Sequence, residues 1–91
     1  MPLGSLPMHI VNVQVEECSF CEEAGQHRAM LLLEGVRARI SLRANAPLGR
    51  AAGGDEVRRV LVADALRQLR RMPEYRNNPD AITLASEVLA R

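Results

Sequence analysis

Ala29-Met30-Leu31-Leu32-Leu33-Glu34-Gly35-Val36-Arg37-Ala38-Arg39-Ile40-Ser41-Leu42-Arg43 is the segment on which the architecture turns. Side chains along a β-strand alternate between two faces, so a half-buried strand shows apolar residues at every second position. After Gly35 the even positions Val36, Ala38, Ile40 and Leu42 are apolar, while Arg37, Arg39, Ser41 and Arg43 are polar. Before Gly35 the apolar set falls on odd positions, Ala29, Leu31 and Leu33. One uninterrupted strand cannot bury both sets, because a shift of one residue moves every side chain to the opposite face. A reversal at Glu34-Gly35 removes the conflict. It pairs Leu33 with Val36, Leu31 with Ala38 and Ala29 with Ile40 on one face, and sets Met30 and Leu32 beside Arg37 and Arg39 on the other. A bulge at Gly35 is the alternative.

Upstream, Met8–Glu16 alternates in the same way, with Val11, Val13 and Val15 on one side and Asn12, Gln14 and Glu16 on the other. Residues 17–26, rich in Glu and containing Ala24-Gly25, read as a turn that carries both cysteines. Downstream, residues 44–54 read as a Gly- and Ala-rich linker. Asp55 is then placed to cap a helix that Pro73 stops, with Val57, Leu61, Ala65 and Leu69 as its apolar stripe and Val62, Leu66 and Met72 alongside. Asn78-Pro79-Asp80 has the form of a second helix start, and Ile82, Ala85 and Leu89 recur at helical spacing after it. Tyr75 is expected as a lid on the turn between the helices. The expected architecture is α+β: a three-stranded antiparallel meander (about 8–17, 27–33 and 36–43) followed by two α-helices (about 55–72 and 79–90) packed on one face.

At 91 residues the chain holds one domain, expected to span residues 8–91, with residues 1–7 as a leader or vector-derived extension. Hydrophobic residues make up 47% and charged residues 25%, an ordinary globular balance. Phe20 and Tyr75 are the only aromatic residues, so the core is aliphatic and no aromatic binding surface exists. All positive charge is arginine, which reads as the codon usage of a GC-rich bacterial genome. The absence of lysine excludes Schiff-base chemistry and pyridoxal attachment. Glu16, Glu17, Glu22 and Glu23 make residues 1–27 acidic, while the twelve arginines all lie from Arg28 onward. That split gives the surface a dipole useful for steering a partner or a second copy. No secretory signal or membrane span is evident, so a cytoplasmic setting is expected.

The residues most suggestive of chemistry are Cys18-Ser19-Phe20-Cys21, flanked by His9 and His27. On a turn, two such thiolates can share one ion, and His9, Cys18, Cys21 and His27 would complete a tetrahedral zinc site. Glu22-Glu23, standing where zinc-binding turns often have Gly, add negative charge that opposes zinc binding, and the four glutamates around the pair oppose a redox-active thiol by disfavouring thiolate charge. Gly49-Arg50-Ala51-Ala52-Gly53-Gly54 lacks the Lys and Ser/Thr of a phosphate loop and is followed by Asp55-Glu56, which repels phosphate. Arg37, Arg39 and Arg43 on a strand, or Arg58, Arg59, Arg67, Arg70 and Arg71 on a helix, offer phosphate contacts, but a net charge of +1 and the lack of stacking aromatics weigh against nucleic acid.

No catalytic group is assigned and no cofactor is expected beyond the zinc alternative. The reading is therefore a non-catalytic protein–protein interaction or homo-oligomerisation module, using Met30, Leu32, Arg37 and Arg39 as its surface. The alternatives are a zinc-binding or thiol-switch module on Cys18 and Cys21, and weak nucleic-acid binding through the arginine faces.

Overall fold

A computed structural model describes residues 8–36, 38–73, 75, 82–86 and 88. Among the described residues the elements run in the order β1 (Met8–Cys21), β2 (Gln26–Gly35), β3 (Arg39–Ala46), α1 (Gly54–Arg70) and β4 (Ile82–Leu84). The strands form one mixed sheet in the order β3-β2-β1-β4, with β1/β2 and β2/β3 antiparallel and β1/β4 parallel. This overturns the expected three-stranded meander under two helices.

The reversal between β2 and β3 occurs two residues later than the sequence suggests. Gly35 N–H donates to Ala38 O at 2.8 Å, and the register pairs Leu33 with Ile40, Leu31 with Leu42 and Ala29 with Ala44. The register therefore lies four residues from the expected one. Because four is an even number, face parity survives: Ala29, Leu31, Leu33, Leu42, Ala44 and Ala46 are buried together. Val36 and Ala38, expected in the core, are exposed near the turn. The strand then runs on to Ala46, where Pro47, lacking an N–H, cannot extend the ladder. Gly35 is needed for space, since a methyl there would stand 3.3 Å from both Ala38 O and His9 O.

On β1 the expected valine face forms at Val13 and Val15 but not at Val11, because two bulges reset the alternation. The first lies between Ile10 and Asn12, so Ile10 and Val13 both face the core and Val11 turns out to solvent. The second lies between Glu16 and Ser19, where Glu17 adopts a left-handed φ of 54°. Pairing resumes after it, with Ser19 opposite Arg28, Phe20 opposite His27 and Cys21 opposite Gln26. Residues 17–21, expected in a turn, therefore lengthen the strand, and the turn is confined to residues 22–25, with Gly25 at φ 63°.

α1 begins one residue before the expected cap: Gly53 occupies the N-cap without a side-chain bond, and Asp55 and Glu56 lie in the first turn. Carboxylates there interact favourably with the helix dipole, as Arg67 and Arg70 do at the other end. The buried stripe is Val57, Leu61, Val62, Ala65, Leu66 and Leu69. It packs on the Leu31/Leu33/Leu42 face, and each fully buried leucine contributes about 1.5–3 kcal/mol of transfer free energy.

The largest correction concerns the C-terminal region. Ile82–Leu84, expected within a helix at 79–90, forms a strand parallel to Met8–Ile10. Ile82 is buried, Thr83 exposed and Leu84 half-buried, a period of two, and Ala85 N–H extends the ladder by donating to Ile10 O at 2.8 Å. A parallel partner requires a crossover, and α1 lies on the connection from β3 across one sheet face to β4. Tyr75, expected as a lid between helices, is instead half-buried, its hydroxyl 3.8 Å from Met8 Sδ. Within the expected helix Ser86 and Val88 are helical, with Val88 N–H donating to Ala85 O at 3.0 Å, while its residues 79–81, 87, 89 and 90, together with residues 91 and 1–7, lie outside the described residues.

Candidate functional site

Extended backbone separates the residues of the expected zinc site. Cys18 and Cys21 lie three strand positions apart on β1, roughly 10 Å along the chain, and an odd spacing directs them to opposite faces. A disulfide needs Cα atoms within about 7 Å. Both thiols are free, with Cys18 exposed and Cys21 half-buried. His9 stands at the opposite end of β1, where its Nδ1 lies 2.8 Å from Thr83 Oγ1 across the β1/β4 pair. His27 Nε2–H donates to Gly49 O at 3.0 Å. Among the described residues, no three His, Cys, Asp or Glu side chains gather as a metal site.

The hairpin tip instead fastens the linker. Phe20 packs edge-on against His27, with ring centroids 4.9 Å apart, and the Arg50 guanidinium lies 4.9 Å from the Phe20 centroid while pairing with Glu22. Between this tip and the first turns of α1 is an open cavity of about 300 Å³, lined by Val15, Cys18, Ala52, Val57, Arg58 and Leu61 among others.

α1 also supplies side chains that occupy the sheet edges. Asp64 accepts from Asn45 N–H at 2.9 Å, and Gln68 Nε2 donates to Arg43 O at 2.7 Å, so β3 has two outward backbone groups satisfied. Arg58 donates to Val13 O at 3.2 Å on the outer edge of β1. Partial burial pushes the Asp64 carboxyl upward in pKa. Hydrogen bonds from Arg67, Asn45 N–H and Gln68, with the Arg67 charge, outweigh burial and hold it below the usual carboxylate value. Two of the helix arginines considered for nucleic acid, Arg58 and Arg67, are thus engaged within the domain, while Arg59, Arg70 and Arg71 are exposed.

The sheet face away from α1 carries the expected interaction residues. The registers place four rows across β1, β2 and β3: Ser19–Arg28–Asn45, Glu16–Met30–Arg43, Gln14–Leu32–Ser41 and Asn12–Glu34–Arg39. Met30 and Leu32 are half-buried between their polar neighbours rather than bare, and Arg39 is exposed at the end of the face. Arg37 lies outside the described residues. Asn12 Nδ2 donates to Glu34 Oε1 at 2.9 Å. Beside the second β1 bulge the face dips into a depression of about 240 Å³ lined by Glu17, Ser19, Arg28, Met30, Arg43 and Asn45. Sequence reasoning placed Arg43 on the same strand face as Arg37 and Arg39 but did not name Arg28, and it missed Glu34 because it set that residue in the turn, whereas the ladder runs on to pair Glu34 with Arg39.

No family model matches the chain, and no curated protein or solved structure matches it either. Among the described residues, no helix is long and apolar enough to cross a membrane.

Proposed function

We propose that this domain is a non-catalytic protein-interaction module that works through the open face of its sheet. One observation carries the reading: α1 covers one face, while the other sets Met30 and Leu32 at the centre of a frame containing Glu16, Glu34, Arg28, Arg39 and Arg43. An apolar centre with a charged rim of both signs suits a protein surface. It suits nucleic acid poorly, because three arginines and the carboxylates of Glu16, Glu17 and Glu34 share the face. The residues that favour chemistry by type have structural duties, His9 toward Thr83, His27 toward Gly49 and Asp64 toward β3.

Leu32→Arg tests the reading, because it places a charge at the centre of the face without touching the core. The wild-type chain is expected to retain a partner, either a second copy in sedimentation or another protein in co-purification, that a folded Leu32→Arg variant loses. Identical behaviour of the two chains in both measurements overturns the reading. One zinc per chain in protein purified without chelator, lost on Cys18→Ser, would favour the metal module instead.

A further inference from the structure

We infer that two copies of this chain pair through their open faces with β2 lying over β2 in opposite directions, so that Arg28 of each copy meets Glu34 of the other and Met30 meets Leu32. This pairing rests on the open face being the interaction surface, and the partner it adds is a second copy of the chain. Along β2 the open-face residues run Arg28, Met30, Leu32, Glu34, alternating with the buried Ala29, Leu31 and Leu33. That order is a cation, two apolar groups and an anion. Turned end over end, it becomes its own complement.

A closed face-to-face pair of identical chains has its two-fold axis in the plane between the sheets. The four cross-strand rows discriminate between two placements. An axis along the strands lays Glu16 over Arg43, but it also lays Arg28 over Arg28 and Glu34 over Glu34, two like-charge oppositions. An axis across the strands, between the Met30 and Leu32 rows, exchanges the rows. Arg28 then faces Glu34, Met30 faces Leu32, Glu16 faces Gln14, Arg43 faces Ser41 and Arg39 faces Asn45. No like charges oppose one another, so the second placement is favoured. It brings Glu34 of the second copy toward the depression beside Arg28, and among the described residues no carboxylate forms an ion pair with Arg28. Twist allows two sheets to stack about 10 Å apart with strands within about 30° of alignment. A contact confined to four rows across three strands is expected to be weak, with a dissociation constant of about micromolar or above.

Charge reversal tests the pairing. Arg28→Glu sets Glu against Glu34, and Glu34→Arg sets Arg against Arg28, so each variant alone is expected to self-associate about tenfold or more weakly than the wild type in sedimentation equilibrium. An equimolar mixture of the two variants restores both pairs in the heterodimer. One contact there joins the native Arg28 of one chain to the native Glu34 of the other, and the second joins the two substituted side chains with their signs exchanged. The mixture is therefore expected to regain wild-type association. Circular dichroism establishes that each variant is folded. Should Glu34→Arg fail to fold opposite Arg39, Arg28→Glu mixed with the wild type keeps the test, since one of the two pairs is then lost and association falls between the two homodimers. A wild-type chain that stays monomeric up to about 500 μM overturns the inference. So does a dimer indifferent to both reversals, or one that responds to Glu16→Arg and Arg43→Glu instead. In any of these cases a partner lost on Leu32→Arg leaves the interaction reading standing, whereas indifference to Leu32→Arg removes both.

Discussion

Leu31 and Leu32 are adjacent and chemically identical, yet they belong to opposite faces of one strand. Leu31 is completely buried beneath α1, within a set made only of aliphatic side chains. Leu32 is half-buried on the open face between Gln14 and Ser41. The covered face is held by packing, where volume matters most, while the open face sets two half-buried apolar side chains among polar and charged neighbours. Stability is therefore expected to depend on one side of the sheet, and the proposed recognition on the other.

The sharpest way to break this division is to truncate both leucines. Leu31→Ala is expected to cost about 3–4 kcal/mol in urea denaturation, through lost transfer energy and the cavity left behind. Leu32→Ala is expected to cost about 1 kcal/mol or less; equal losses would mean that the open face is as tightly packed as the core. Gly35→Ala tests the close approach of β2 and β1 at the end of the sheet. A methyl 3.3 Å from two carbonyl oxygens forces backbone to move, and a loss of about 1–2 kcal/mol is expected. Asp64→Asn tests how α1 holds the β3 edge and should cost about 1 kcal/mol at neutral pH. The Asp64 carboxyl is depressed in the folded state, so its contribution is fully present above the unfolded carboxylate pKa and is lost as pH falls through the lower folded value. Wild type and Asp64→Asn should thus converge in stability below about pH 4. The smallest effects belong to the cysteines: Cys18→Ser and Cys21→Ser should each change stability by less than about 0.5 kcal/mol. Both thiols of the native protein should react with a thiol-titrating reagent, Cys18 the faster.

How much of this was legible in the sequence depended on whether a feature carried period. The faces of β2 and β3 were legible because alternation survives any even shift in register. The turn itself was misplaced because Gly35 suggests a reversal by type, whereas its role is to let His9 O approach. The faces of β1 were legible only in part: Val13 and Val15 face the core and Asn12, Gln14 and Glu16 the open side as their alternation suggests, but the bulge beside Val11, which has no residue signature, turns Val11 outward and puts Met8 and Ile10 in the core. The same problem hid the cysteine geometry, since the second bulge lets β1 continue through Cys21. Ile82-Thr83-Leu84 is too short to distinguish a period of two from one of 3.6, and only its place beside Met8–Ile10 decides for a strand. The open-face rows became visible only with the register in hand.

The pairing of β1 with β4 also bears on how the molecule acquires its structure. The contact between His9 and Thr83 spans 74 positions, whereas the β1/β2 and β2/β3 hairpins close over far shorter loops. Closing the longer loop costs more chain entropy and is rewarded only after α1 has crossed the sheet. The two hairpins should accordingly assemble early, with Ile82–Leu84 docking last, and the rate of reaching the native state should be governed by that final strand.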